Sequence, residues 1–356
     1  MEFGVQFFPV VGPDEQSAQS YWADALALTA LCDELGYTHI RTVEHYFHRY
    51  GGYTPNPIVF LSAAAMRTSR ARLITGAVLP VFNNPLKLAG EIGMLDAISN
   101  GRLEVGFARA FLPHEFARFG ISVDESRARF EEGLAQVTRL LEETDVTDEG
   151  QFHSFKNVTS LPRPTQVPRP PFWVAAVATP ESFVKAGEGG HSVMALPMGG
   201  AKLRELIDAY RDAWRGAGHA GNGRVMLPFH MFCAETEAEA ERIAREPLNQ
   251  HMGRLVEAAS DWRGGLSSKD YPGYDKIIEG LSKETFESQV EKGAAWIGTP
   301  ARLVDMIKAY DEAVGGIEVA SLQLNFGTMP VADAERSMKL FASDVMPHFQ
   351  AYRGAA

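Results

Sequence analysis

Glu44, His45 and Tyr46 stand where a short apolar run ends, and Phe47 and His48 follow before the Gly/Pro-rich turn of "TVEHYFHRYGGYTPNP". An imidazole that titrates near neutrality suits proton transfer at such a place, and a neighbouring carboxylate can orient or charge it. A plainer reading makes Glu44 and His45 a satisfied polar pair at a rim, with Tyr46 and Phe47 as packing. A second group suits an anion. Arg109 follows the run "LEVGFA", Arg127 opens "RARFEEGL", and in "VATPES" an apolar run ends where a helix begins. Thr179, Glu181 and Ser182 there offer backbone N–H groups, two of them beside hydroxyls, at the positive end of a helix dipole. Arginine adds bidentate phosphate contacts. Each arginine alone reads equally as a surface ion pair; together with that helix start they point to a phosphate. Phe7, Phe8, Tyr46, Phe47 and Phe111 either pack a core or line an apolar cleft.

Other chemistry is not written here. No GxGxxG follows a strand, and there is no phosphate-cradling GxxxxGK[ST] loop and no GxSxG elbow. "HEFAR" at His114 starts like a zinc-protease helix but has Arg118 where the second histidine belongs, so no metal site is expected.

These residues need elements to hold them. Apolar runs at 3–8, 39–43, 73–79, 103–107, 172–177, 192–196, 224–229 and 319–324 read as eight strands, separated by amphipathic stretches that open on Asp, Asn or Glu and close on Gly. Eight βα units without a linker between halves predict one α/β domain over 1–356, a (β/α)8 TIM barrel. In that fold the ends of the strands build the active site, which is where His45 and Arg109 stand. Two stretches break the alternation. Residues 146–171 read as a hairpin followed by a polyproline-like approach to the fifth strand, and 252–298, with Trp262, Tyr271, Tyr274 and Trp296, as a lid over a ligand.

Composition narrows the class of partner. Of 356 residues 45% are hydrophobic, and the formal charge of -11 argues against nucleic acid. Cys32 and Cys233 are the only cysteines, so neither a disulfide framework nor a CxxC knuckle is expected. The start "MEFGVQFFPVV" reads as a strand rather than a signal peptide, and no apolar run is long enough to span a bilayer, which predicts a cytoplasmic protein with no membrane contact.

"EFG" at the start, "EHYF", "MLDAISNGRLEVGFAR", "GTP" at Gly298 and "SMKLFASDVMP" near the end together resemble the bacterial luciferase family of flavin-dependent monooxygenases, the luciferase alpha subunit in particular. The resemblance runs over essentially the whole chain. It implies that His45 is the catalytic base, with Glu44 beside it, and that Tyr46 stands where the family has a second histidine. It implies a flavin phosphate held by Arg109, Arg127 and the backbone of Ala176, Val177 and Ala178 with Glu181, Thr179 and Ser182 being candidates in a neighbouring register. Ala108 replaces a reactive cysteine beside the flavin ring, and Glu115 replaces a nearby aspartate. A substrate pocket of Phe8, Tyr46, Phe47, Phe111 and Glu115 follows, as does a non-proline cis peptide beneath the ring at Gly76–Ala77. The implied cofactor is FMN, reduced by a separate flavin reductase, and O2 is the co-substrate that forms a C4a-peroxyflavin. The substrate would be an apolar aldehyde, ketone or polyketide-like molecule. The implied assembly is a homodimer through the helix "NNPLKLAGEIGMLDAIS", whose Ala89, Gly90, Gly93 and Ala97 would permit close contact. Two other functions stay open: hydride transfer with the deazaflavin F420, and a noncatalytic partner like the luciferase beta subunit.

Overall fold

A computed structural model describes residues 1–350. In chain order its elements are β1 (Glu2–Phe7), α1 (Ala18–Leu35), β2 (His39–Thr42), α2 (Pro57–Ala65), β3 (Arg72–Thr75), α3 (Pro85–Ile98), β4 (Leu103–Phe107), α4 (Pro113–Phe119), α5 (Ser126–Glu142), β5 (Val146–Glu149) and β6 (Ser154–Val158). There follow β7 (Phe172–Ala175), α6 (Pro180–Glu188), β8 (Ser192–Met194), α7 (Gly200–Gly216), β9 (Val225–Cys233), α8 (Glu237–Ala258), α9 (Ser260–Arg263), α10 (Tyr274–Leu281), α11 (Phe286–Glu291), β10 (Ala295–Gly298), α12 (Pro300–Val314), β11 (Val319–Gln323) and α13 (Val331–Asp344). Strands β1, β2, β3, β4, β7, β8, β9 and β11 pair in parallel in that order and close on β1, which makes the expected eight-stranded TIM-type barrel.

Strand alternation decides what faces where. Phe3, Val5 and Phe7 of β1 join the layer between barrel and helices, whereas Gln6 meets the Arg41 guanidinium inside. The barrel's lower interior is packed by Ile74, Trp173, Met194, Met226 and Val319. Glu104 accepts a 2.6 Å bond from the Trp173 indole and pairs with Arg72 at 2.8 Å and Arg224 at 3.6 Å. Higher up, Arg41 donates to the Gly76 carbonyl at 2.9 Å, and burial lowers its pKa to about 10. A Cβ on Gly76 would lie 1.9 Å from Arg41 Nε, so only glycine admits that guanidinium. The Gly76–Ala77 peptide is cis, as expected. Pairing therefore does not run unbroken through 73–79: β3 stops at Thr75, and contact with β4 resumes as a single bridge from Val78 to Phe107.

Several strand-to-helix turns are written in side chains. Asn56 and Asn84 each accept from the N–H two residues on, and a proline follows each where a helix tolerates one. Gly36 and Gly315 end α1 and α12 in the left-handed region.

The hairpin is present as β5 and β6, its turn held by Glu132 of α5, which accepts N–H bonds from residues 151 to 153. The expected lid needs trimming. Residues 252–258 complete α8, and 295–298 form β10, which adds in parallel to the end of β9. Trp296 is fully buried there, stacked on Phe229 at 3.7 Å, and is core rather than lid. The period of its short run, "AAWIG", was hidden by the charged stretch around it, which reads as loop.

Candidate active site

His45 projects from the end of β2 and is buried against the rings of Phe8, Tyr50 and Phe111. Its partner is not its neighbour. Glu115, carried from α4, sits 3.0 Å from His45 Nδ1 and also accepts the Tyr46 N–H at 2.8 Å, both on one oxygen. A carboxylate oxygen that already accepts an N–H is an acceptor for the imidazole too, so the proton lies on Nδ1 and Nε2 carries the free lone pair. Glu115 is fully buried, and its other oxygen has no hydrogen-bond partner.

Glu44, expected beside His45, faces away from it. It accepts from the Leu79 N–H at 3.1 Å, the Asn83 amide at 2.8 Å and the Tyr46 hydroxyl at 2.5 Å, and so ties the ends of β2 and β3 together. The rim pair read from sequence is thus replaced by two separate acids with separate tasks. Burial pushes the Glu44 carboxyl up to about 8 in spite of these three donors. Because the folded value lies above the ordinary 4.5, the fold binds the Glu44 proton more tightly than the unfolded chain does. Its stabilisation is complete below pH 4.5 and lost as pH rises through 8. At about 1.4 kcal/mol per pKa unit, wild-type protein should lose roughly 3–5 kcal/mol relative to Glu44→Gln between pH 5 and 9, measured by urea unfolding of both. Parallel pH curves for the two proteins would contradict this.

The anion-binding residues come together as well. Arg127, in the first turn of α5, reaches Glu181 of α6 at 3.4 Å, which sets the two helix starts side by side. Arg109 donates to the Asp270 carbonyl at 3.1 Å, and the Asp270 carboxylate accepts from the Arg127 N–H at 3.0 Å and the Ser126 hydroxyl at 3.3 Å. Thr179 caps α6 with no side-chain bond of its own, and Ser182 N–H is taken by the Thr179 carbonyl. Asp270, from the segment before α10, was not foreseen; nothing local marks it.

That segment is a roof. Trp262 donates to the Phe111 carbonyl and Tyr271 to the Ala110 carbonyl, each at 2.8 Å, while Tyr271 also lies 4.9 Å from the Arg109 guanidinium. Leu255, Ala258, Trp262, Tyr271 and Ile278 share an apolar cluster with Phe8, Val43, Tyr50, Leu79 and Phe116. Burying side chains of this size stabilises by ~1.5–3 kcal/mol each, which holds the segment against the strand ends. The roof does not cover every strand end. Ala108, Ala175, Val177, Pro228 and His230 at the tops of β4, β7 and β9 remain partly exposed, and Leu196 beyond β8 is exposed. Ala176 is buried outward, its N–H bonded to Met194, so only its carbonyl is left for a ligand. Among the expected pocket residues, Phe8 and Phe111 pack on the His45 ring, but Tyr46 and Phe47 both pack on Phe119, where Phe47 is 55% exposed.

The strand ends thus bring together a buried acid–imidazole pair, two arginines tied to the roof and partly exposed small residues. The family model of luciferase-like monooxygenases matches residues 1–315. The chain belongs to that family. Among these luciferase-like proteins it is 30% identical to the oxygenase component of a flavin-dependent trigonelline monooxygenase from Acinetobacter baylyi, over 94% of this chain and 92% of the other. The monooxygenase RslO1 from Streptomyces bottropensis superposes with a TM-score of 0.87 at 43% identity, covering 98% and 100% of the two chains. The FMN complex of the oxygenating constituent of 3,6-diketocamphane monooxygenase from Pseudomonas putida shares the fold, with a TM-score of 0.82 at 23% identity and 98% coverage of both. More distant F420-dependent enzymes share it too, so the luciferase-like fold alone does not choose the cofactor. No helix among the described residues is long and apolar enough to cross a membrane.

Proposed function

We propose that the chain is the oxygenase component of a two-component flavin monooxygenase, receiving reduced FMN from a separate reductase and using O2 to oxygenate an apolar organic molecule. The observation that carries this is the His45–Glu115 pair, buried beneath an apolar roof whose Asp270 also meets Arg109 and Arg127. Reduced flavin, when bound, supplies the electrons that let O2 deliver one oxygen atom to a substrate. Arg109 and Arg127, with the backbone of 177–178 and the hydroxyls of Thr179 and Ser182, would hold its phosphate, whereas Ala176, its N–H taken by Met194, has no donor to give; Ala108 and the Gly76–Ala77 peptide would lie at its ring. The roof excludes water, which would otherwise divert the reaction. His45 Nε2 takes or returns the proton that decides whether the oxygen reacts as nucleophile or electrophile, and Glu115 holds the ring in the tautomer that permits it. The two cysteines, both unpaired and buried, suit the reducing cytoplasm in which we place the protein.

The test is anaerobic titration with reduced FMN and, separately, reduced F420, followed by admission of 18O2 with candidate aldehydes and ketones. FMN binding at micromolar or lower concentration and one labelled oxygen per product support the reading. Binding of F420 with hydride transfer and no label would replace it with the deazaflavin alternative.

The proposed homodimer keeps the expected helix, where Ala97 is exposed, but not all of its small residues. Ala89 and Gly93 are buried by the chain itself: a Cβ on Gly93 would lie 2.1 Å from the Pro162 carbonyl. The exposed apolar side chains are Leu86, Met94 and Ile98 on α3 with Val59 and Met66 on and beside α2. We expect a dimer mass by light scattering at micromolar concentration and a shift to monomer in Met94→Lys, which would bury an unpaired charge in the contact. An unchanged mass in that variant would remove this face from the assembly.

A further inference from the structure

Across the barrel mouth from His45 stand three polar side chains that no sequence motif marks. His230 lies on β9, directly opposite Gln323 on β11, and His251 reaches in from α8. The His251 ring packs edge-on to His230 at 4.3 Å, and its Nδ1 is 3.5 Å from the Gln323 amide nitrogen, which donates to the Phe8 carbonyl at 3.1 Å. Phe8 and Tyr50, 4.6 Å apart, form the partition: each lies 5.4 Å from the His45 ring on one side, and on the other side the His251 ring lies 5.3 Å from Phe8 and 5.6 Å from Tyr50. His230 Nε2 is buried and has no hydrogen-bond partner, although the residue as a whole is partly exposed, two positions on from Pro228 and four from the buried Met226.

Burial holds both imidazoles neutral, His230 down to about 3 and His251 well below its ordinary value. The rings packed on them are Phe8, Tyr50 and Phe326, with no cation among those contacts. A neutral imidazole offers one donor and one acceptor but no charge. A carboxylate arriving here would lose its hydration without gaining an ion pair, and a plain hydrocarbon would leave the His230 nitrogen unsatisfied. A hydroxyl or carbonyl oxygen does neither.

We infer that His230, backed by His251 and Gln323, recognises a neutral oxygen function, a hydroxyl or ketone, on an otherwise apolar ring system, and so sets which end of the substrate points away from His45. This rests on the proposed monooxygenase reading, whose substrate class it narrows. A turn of the His230 ring toward its exposed side presents Nε2 to an arriving substrate, which then supplies the missing partner. A site built to bond an oxygen rejects the analogue that lacks it more strongly than an apolar pocket rejects an added group.

The test uses 2-naphthol, naphthalene and 2-naphthoate as probes, titrated calorimetrically against protein loaded with oxidised FMN and against the flavin-free chain. Wild type should bind 2-naphthol roughly tenfold or more tightly than either of the others, the scale of one satisfied buried hydrogen bond. His230→Phe, which keeps the ring but not the nitrogens, should bring the naphthol-to-naphthalene ratio close to one, and His230→Asn should restore part of it. Equal binding of naphthol and naphthalene by wild type, or a ratio that survives in His230→Phe, overturns the inference. Should the phenylalanine variant not fold, an unchanged ratio in His230→Asn with Gln323→Leu does the same. Failure to bind FMN would strike the monooxygenase reading instead, and the ratio on the flavin-free chain would still decide this one.

Discussion

Replacing His45 with alanine is expected to lower product formation by ~10²–10⁴-fold, the range of a positioned general base, while FMN affinity changes little. The imidazole is the titratable side chain whose free nitrogen the buried pair directs, because Glu115 occupies Nδ1 at 3.0 Å. Glu115→Gln separates orientation from proton transfer. Its amide can present an NH2 to Nδ1 and so favour the wrong tautomer, which should cost one to three orders of magnitude in turnover and displace the pH profile. His45→Ala combined with Glu115→Gln should then be no worse than His45→Ala alone, since the two act as one unit. Rapid-reaction measurement of oxygen consumption against product decides it: wild-type turnover in His45→Ala would eliminate the residue from the chemistry.

The second large effect is on the cofactor. Arg109→Ala and Arg127→Ala should each weaken FMN binding about 10–100-fold, and the double variant by ~10²–10⁴-fold, at about 1.5–3 kcal/mol per charge-assisted hydrogen bond. Riboflavin, which lacks the phosphate, should bind all four proteins alike. The comparison matters because the Arg109 guanidinium also holds the roof through the Asp270 carbonyl, and the Arg127 guanidinium lies 4.0 Å from the Asp270 carboxylate. A purely structural role for them would weaken riboflavin and FMN together, and flavin fluorescence quenching distinguishes the two outcomes.

Much of this molecule was open to a reader of the chain alone. Short apolar runs at regular βα spacing determined the barrel, since parallel strands covered on both faces read as continuous runs rather than alternation, and position at strand ends placed His45 and Arg109 at the mouth. The resemblance to the luciferase family located Gly76–Ala77, though not why glycine is needed there: Arg41, from the neighbouring strand, fills the space a side chain would take. What only the tertiary structure decided is pairing across long sequence distance. Glu44 stands next to His45 in the chain, yet successive residues beyond a strand point apart, and Glu115, 70 residues on, is the acid that reaches the imidazole. Asp270 meets Arg127 across 143 residues, and His230 meets His251 and Gln323 through three different elements. Composition and local spacing carry no record of such meetings, because burial and hydrogen-bond satisfaction are settled only when the barrel closes and brings its strand ends, α4, α8 and the roof into one space.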